Sequence, residues 1–473
     1  MENNSLTSIS IIALHDQHDL SLQLKPGLNI IYGRNGTGKT TLLHVLANLL
    51  DHDIRRFCHI RFQKIIVGTL NGTVIELVQT RNADGTWVQV SINGKLYSPV
   101  TREDKTPAEL REELRTCLGG GPVYLPAFRS VLEAISQNRS HTADDPRNEE
   151  MQEIIATERE RISMDGEKFR ASQFVRETTR AIASKTILCR EWFGPFVPVV
   201  RFPSLWEVAE ELATELHQAQ LIVASTDSEA FSNTFVEVLK AVLDSSDNPD
   251  PGDVQSLLSS IRMNLAELQE TEAGIPKVYS QISSIVGEMT QTFSLEETIA
   301  KRILKVYEQA FSARTTVQKM AYERIRAFEN SINRFLSDKK LTVRMAQQTF
   351  GLRVRRLQQV ITLADGRPAS LSVLSSGERH VLTLLFSATH MSTTDGILLI
   401  DEPELSLHVK WQRMILQELM HQAGTRQIIA CTHAPEVAAH HRDVMIKLTP
   451  FLTQKDDVQD DNFEILDDQI SIE

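Results

Sequence analysis

Cysteine is scarce in this chain and poorly spaced for chemistry. The four residues, Cys58, Cys117, Cys189 and Cys431, include no pair in CxxC spacing, so neither a zinc knuckle nor a disulfide framework is indicated. Four reduced and mostly buried thiols are the expectation. Long hydrophobic runs are missing too. No uninterrupted apolar stretch reaches the ~18–20 residues that span a bilayer, which argues against a membrane protein. The opening Met1-Glu2-Asn3-Asn4 lacks a basic segment followed by an apolar core, so no signal peptide is expected and a cytoplasmic location is. Basic charge is in deficit, the formal net charge being −12. A wholly basic surface of the kind that coats nucleic acid is excluded, although a local basic patch is not. Much of the acidic excess falls between Asp456 and Glu473, a run expected to form a solvated, flexible tail.

Glycine is locally scarce. It thins out between about 130 and 340, where charged, helix-forming stretches take over. The clearest stripe is Leu295, Ile299, Ile303, Val306, Ala310, Ala313, Val317, Ala321, Ile325, Phe328, Ile332 and Phe335. Their steps of three and four predict a long amphipathic helix, or two in succession. Asp244 to Asp253, with two prolines and Gly252, predicts a loop between helices. Strand patterns flank this region. Ile9–Leu14, Leu20–Leu24 and Leu28–Tyr32 read as strands and Thr41–Leu50 as a buried helix. Residues 57–93 alternate as hairpins around Asn71-Gly72 and Asp84-Gly85. Val123-Tyr124-Leu125 reads as another strand. Leu341–Arg356 and Val360–Leu374 alternate around Asp365-Gly366-Arg367-Pro368. A helix (Gly377–Ala388), a buried strand (Ile397–Ile400), a helix (Val409–Gln422) and a strand (Gln427–Cys431) follow. Strand–helix–strand alternation implies parallel order. An α/β core, interrupted by a helical segment and then resumed, is the expected architecture.

Gly33-Arg34-Asn35-Gly36-Thr37-Gly38-Lys39-Thr40 fits GxxxxGK[ST] between an apolar strand and a helix, the context a phosphate-binding loop requires. Glycines let successive N–H groups curl round phosphates, and the helix start adds its positive dipole end. Lys39 is suited to neutralise the β- and γ-phosphates of ATP. Thr40 is suited to hold Mg²⁺, and Thr41 extends the nucleotide-binding set. A glycine-rich turn with an incidental lysine is the alternative, arising by chance at roughly one or two per cent in this length. Ile397-Leu398-Leu399-Ile400 then runs into Asp401 and Glu402. Asp401 is placed to hold Mg²⁺ directly or through water. Glu402, one residue on, points elsewhere and can deprotonate an attacking water. Apolar strands often end in surface acids, so this pattern gains its meaning from the loop in the same chain.

Leu374-Ser375-Ser376-Gly377-Glu378 opens a helix and reads first as a capping box. The same residues resemble the signature motif of ABC-class ATPases, with Ser376 where many members have glycine. The resemblance implies that Ser375, Ser376 and Gly377 contact the γ-phosphate of ATP held by a second subunit. Pro403-Glu404-Leu405-Ser406-Leu407-His408 resembles the D-loop segment, and Thr432-His433 resembles the switch histidine that reaches the γ-phosphate. The wording DEPELSLH and CTHAPE is similar to the branch holding OLD-family, RecF and SMC-like ATPases. Tyr124-Leu125-Pro126-Ala127-Phe128-Arg129 resembles a stretch in stand-alone ATPases of the PARIS and Septu anti-phage systems. The resemblance covers roughly 5–130 and 340–450. It departs from the class pattern at the Q-loop, where Gln137 is only a candidate, and at His408, where transporters have aspartate.

The resemblance implies an ABC-type ATPase head, a mixed sheet plus an antiparallel subdomain, split by a long α-helical insertion, part of which could be coiled coil. The expected divisions are 1–135 and 339–455 for the two halves of the head, 136–338 for the insertion and 456–473 for the tail. Catalysis is assigned to Glu402, His433 and Lys39, with ATP and Mg²⁺ as cofactors. Two heads should face each other, in a dimer or a higher homo-oligomer. About forty residues follow His433, too few for a Toprim nuclease, so a nuclease effector, Toprim or HNH, is expected as a separate chain. The leading expectation is an ATP-driven switch controlling that effector in anti-phage defence. The alternative is a repair or chromosome-structure ATPase acting directly on DNA, with Arg344, Arg353, Arg355 and Arg356 as phosphate contacts; a charged sheet edge explains those arginines equally well. A transporter ATPase would need a membrane partner and an evident Q-loop. A non-hydrolysing assembly protein would not need Glu402.

Overall fold

Leu6–Leu14 (β1) and His18–Gln23 (β2) open the chain as a hairpin, and Leu28–Tyr32 (β3) leads through the glycine-rich loop into Lys39–Leu50 (α1). Then come Lys64–Thr69 (β4), Val74–Asn82 (β5), Gly85–Ile92 (β6), Lys95–Leu96 (β7), Val100–Thr101 (β8), Ala108–Leu118 (α2) and Val123–Leu125 (β9). The helical middle comprises Arg147–Met164 (α3), Ser172–Phe193 (α4), Leu205–Leu243 (α5), Val254–Thr271 (α6) and Glu297–Asn333 (α7). Lys339–Met345 (β10), Leu357–Leu363 (β11), Pro368–Ala369 (β12), Ser376–His390 (α8), Leu398–Asp401 (β13), Val409–Ala423 (α9), Ile428–Thr432 (β14), Met445–Lys447 (β15) and Phe451–Leu452 (β16) close the fold. This computed structural model describes residues 5–83, 85–128, 147–164, 172–243, 254–271, 297–345, 357–390 and 396–453. The acidic run 456–473, the loop 244–253, Gln137, Arg129, Arg353, Arg355 and Arg356 lie outside the described residues.

Two large sheets make the head, with a small antiparallel sheet, β10-β11-β12, packed into its core. One of the large sheets is entirely parallel, in the order β15-β3-β14-β13-β9. The other is antiparallel and runs β16-β2-β1-β4-β5-β6-β7, with β8 on β6. The parallel strands are apolar on both faces because both faces are covered. Ile31, Tyr124, Leu399, Ile429 and Cys431 face α1 and the antiparallel sheet. Their neighbours Ile30, Leu125, Leu398, Ile400 and Ala430 face the opposite core. That second core is built from α8 and α9 and from the bases of the helical middle: Phe202, Val208, Leu212 and Leu216 on one side, Ile325, Phe328, Ile332 and Phe335 on the other. The fold is a mixed α/β head with a helical insertion whose two stems complete the head's own core. From Ile299 to Ile332 the long stripe is a single helix, α7; Phe335 follows its end, and Leu295 lies outside the described residues. At 37 residues the helix extends about 55 Å. It packs along α5 and, through Leu304 and Phe311, against α6. The C-terminal alternation departs from expectation at Leu371–Val373, a 3₁₀ turn and not a strand, because Ser375, two residues on, already caps the helix that starts at Ser376. Cys58, Cys189 and Cys431 are buried and Cys117 is half-buried, all as free thiols. Among the described residues no helix is long and apolar enough to cross a membrane.

The phosphate-loop helix is bolted to the insertion. Asp51, which caps the C-terminus of α1, takes both terminal nitrogens of Arg201 at 2.7 and 3.1 Å, and Arg201 also holds Glu158 of α3 at 2.7 Å. Beside it, Arg56 and Arg190 share Glu150. Asn48 donates to the carbonyl of Phe196 at 2.8 Å. His44, also on α1, meets the Tyr124 hydroxyl at 2.9 Å, and burial pulls its imidazole from 6.5 down to about 4. His44 therefore stays neutral in the fold while the unfolded chain gains a proton below about 6.5. Its contribution is full above that pH and is lost as pH falls toward 4. At pH 5 the expected loss is about 2 kcal/mol. The fall in Tm between pH 7 and pH 5 should be smaller in His44→Gln than in the wild type; equal falls in the two proteins would remove His44 as a cause.

Candidate functional site

The nucleotide loop is shaped by its own backbone. Gly36 and Gly38 have φ of 80° and 88°, the left-handed region that glycine enters without steric cost. A Cβ on Gly33 would sit 3.0 Å from Thr37 Oγ1 and 3.1 Å from the Leu448 carbonyl. Arg34, Asn35 and Thr40 are exposed and Thr41 half-buried, whereas Lys39 is buried. Its ammonium donates to the carbonyls of Gly33 at 2.9 Å and Arg34 at 3.1 Å, so a positive charge occupies the inside of the loop at the N-terminus of α1. That is the donor set a triphosphate requires.

Residues 35–41 line a cleft of about 360 Å³ together with Glu402 and with Leu14, His15, His18 and Leu20 of the first hairpin. The hairpin residues had no motif to announce them. His15 and Asp16 have positive φ. Arg61 and Arg81 brace that turn by pairing with Asp16, and the Arg81 hydrogen bond holds its carboxyl below the usual range. Gly33, Arg34, Asp401, His433 and Ser375–Gly377 are not among the residues that line the cleft.

The parallel sheet brings the remaining groups to the same end. β13 delivers Asp401, buried, so that Thr40 donates to its Oδ2 at 2.8 Å. Two hard oxygens from opposite ends of the sequence thus meet beside the loop, a fit to Mg²⁺. The next residue turns away. Glu402 has φ of 49°, a left-handed conformation costing about 1–3 kcal/mol in a non-glycine residue, and its N–H is fixed to the Cys431 carbonyl at 2.8 Å. The turn sends the Glu402 side chain into the cleft wall. Its Oε1 lies 3.1 Å from Nδ1 of His433, at the end of β14.

Glu404 was named in the D-loop segment without a role, and the structure gives it contacts. It is buried, and its Oε1 accepts from the Thr432 hydroxyl at 2.5 Å and from the N–H groups of His433 and Ala434 at 3.3 Å each. His433 Nδ1 is 3.5 Å from the same oxygen. No local motif could signal this, because the partners stand 28 to 30 residues away.

Ser375 and Glu378 form the expected reciprocal cap: Ser375 N–H donates to Glu378 Oε2 at 2.6 Å and Glu378 N–H to Ser375 Oγ at 3.3 Å. Burial opposes the Glu378 charge, yet Lys339 and Ser375 together hold its carboxyl below the ordinary range. Ser375 and Ser376 remain exposed while Gly377 is buried. A Cβ on Gly377 would come within 2.8 Å of the Ser406 carbonyl. That contact ties the cap to the segment after Glu402, in which Ser406 also has a positive φ, 63°. His408 caps α9, its Nδ1 accepting from Lys410 N–H at 3.3 Å.

Two family models match, each over less than half of the chain. "AAA domain" matches residues 8–188, which contain the loop. "AAA domain, putative AbiEii toxin, Type IV TA system" matches 281–439, which contain Asp401, Glu402 and His433. Over 131 residues the chain is 28% identical to "Retron Vc95 probable ATPase" of Vibrio cholerae serotype O1 biovar El Tor, covering 28% of this chain and 25% of that protein. The chain thus aligns with only a quarter of its relative's length. Among solved structures, the Smc head domain with an extended coiled coil, bound to the C-terminal domain of ScpA, from Pyrococcus furiosus is 11% identical, with TM-score 0.38 over 95% of this chain and 97% of that one. The Smc head with a coiled coil and joint from Pyrococcus yayanosii is 14% identical, with TM-score 0.38 over 95% and 98%. At those scores the two add nothing to the fold described above. The chain carries AAA-type P-loop ATPase domains.

Proposed function

We propose that this chain binds and hydrolyses ATP with Mg²⁺, and that two copies close on each other around the nucleotide. Closure is passed through the helical insertion to a separate effector, of the nuclease class, in bacterial anti-phage defence. The observation that carries the reading is the convergence of Lys39, Thr40, Asp401, Glu402 and His433 at one end of the parallel sheet. Thr40 and Asp401 would hold Mg²⁺, which when bound neutralises charge on the phosphates. Lys39 and the loop N–H groups grip the β- and γ-phosphates. Glu402 takes a proton from the attacking water as its oxygen bonds to the γ-phosphorus. The bond to the β-phosphate oxygen breaks, and ADP and phosphate leave. His433, held beside Glu402 at 3.1 Å, is the residue that would reach the γ-phosphate oxygens, as the resemblance to the switch histidine implies.

Ser375 and Ser376 support a second head: they are exposed and lie away from their own chain's cleft. Transmission is supported by the stems of α5 and α7 in the head's core and by the Asp51–Arg201–Glu158 bridge from the loop helix. The defence setting is supported by the Tyr124–Arg129 resemblance and by the retron ATPase among the relatives. The test is capture of tagged Glu402→Gln protein, co-expressed with its neighbouring genes, in the presence of ATP. A small nuclease or toxin-like protein should be recovered with ATP and lost when Lys39→Ala is added. DNA without a protein partner would replace the switch by direct action on DNA.

A further inference from the structure

The catalytic end of the sheet contains a third carboxylate with no part in the reaction as described. It is far more buried than its neighbour Glu402: the Glu404 side chain is 4% exposed, against 25% for Glu402. Burying a carboxylate is costly unless donors compensate, and the donors here are specific. One hydroxyl and two backbone N–H groups, from Thr432, His433 and Ala434, all point at Oε1. Every donor belongs to the three-residue segment that carries the switch imidazole. The other oxygen, Oε2, is buried and has no hydrogen-bond partner among the described residues. The carboxylate is therefore spent on the backbone at His433.

We propose that Glu404 is the positioning residue of the switch histidine. The backbone after β14 leaves the sheet at Thr432 and must turn so that His433 faces Glu402. An orphaned N–H at His433 and a Thr432 hydroxyl without its acceptor would let that segment relax toward solvent. Glu404 accepts from the His433 N–H and from the Thr432 hydroxyl, whose oxygen in turn accepts from the Ala434 N–H at 2.9 Å, and so fixes where the imidazole starts. Glu404 Oε1 also stands 3.5 Å from His433 Nδ1, just beyond the 3.1 Å contact of that nitrogen with Glu402, so two acids meet one edge of the ring. Glu404 also starts the turn that reaches the signature-like helix: Leu407 N–H donates to the Glu404 carbonyl at 3.0 Å, and the intervening Ser406 carbonyl lies under Gly377. The histidine's placement is thus tied to the segment that would meet the second head.

The inference rests on the proposed ATPase reading of Glu402 and His433 and is tested beside it. In Glu404→Ala, kcat should fall about tenfold to a hundredfold, while the Kd for ATP stays within about twofold, because no loop residue is touched. Glu404→Gln keeps an oxygen for the same three donors and should return kcat to within a few-fold of the wild type. Unchanged kcat in Glu404→Ala overturns the proposal. So does a loss of kcat that Gln does not rescue and that travels with matching losses of Tm and ATP affinity, which would make Glu404 structural only. If Glu402→Gln turns over as fast as the wild type, the underlying ATPase reading has failed instead, and the two failures are told apart.

Discussion

Replacing Lys39 with alanine is expected to weaken ATP binding by tenfold to about 150-fold, the 1.5–3 kcal/mol that a hydrogen bond to a charged group contributes. Two effects act in the same direction. The ammonium is the only charge placed by the described contacts within the curl of the loop, where it holds the Gly33 and Arg34 carbonyls. Its loss removes the attraction for the phosphates and frees the two carbonyls that define the loop's shape. Titration with a fluorescent ATP analogue, alongside thermal unfolding to show that α1 is intact, checks this. Ordinary affinity in a folded Lys39→Ala protein would sink the phosphate-loop assignment. Lys39→Arg is the informative companion: it keeps the charge, but its larger planar head does not fit a space framed by carbonyls about 3 Å from a single nitrogen.

The parts of this site that were readable in the sequence are those in which chemistry and chain neighbourhood coincide. The loop is contiguous, and its glycines are demanded by φ at Gly36 and Gly38. Asp401 and Glu402 follow an apolar run that could only be a buried strand, and Ser375 and Glu378 cap a helix across one turn. Strand β3 and the parallel direction of β13 and β14 follow from the same local patterns, but the order of the strands across the sheet does not. What was not readable depends on contacts made in three dimensions. The stripe ending in Phe328, Ile332 and Phe335 announces a helix but not that its last turns lie on the ATPase sheet. Arg201 is an ordinary arginine in a proline-flanked linker until Asp51 is found 150 residues away. Glu404 looked like part of a loop motif because its hydrogen-bonding partners belong to the next strand. His15 and His18 reach the cleft through a turn whose left-handed residues carry no glycine to betray it.

Glu402→Gln is expected to lower ATP turnover by about a hundredfold to ten-thousandfold, the range that a positioned general base contributes, while ATP affinity stays near that of the wild type. The amide preserves the shape of the turn, including the N–H bond to Cys431, and can still meet His433, but it cannot accept the water's proton at neutral pH. Affinity should persist because the affinity-bearing groups, Lys39 and the loop, are not touched. Phosphate release under saturating ATP measures the first effect, and the ATP-to-ADP ratio retained after gel filtration measures the second. A protein that holds ATP without spending it should also stay closed, so its apparent mass with ATP should double relative to the nucleotide-free form. Doubling that Ser375→Arg abolishes without loss of ATP affinity would place the exposed cap at the interface, because a bulky cation there obstructs the partner and not the chain's own cleft. Wild-type turnover in Glu402→Gln would remove Glu402 as the base and leave the left-handed turn at that residue without a catalytic reason.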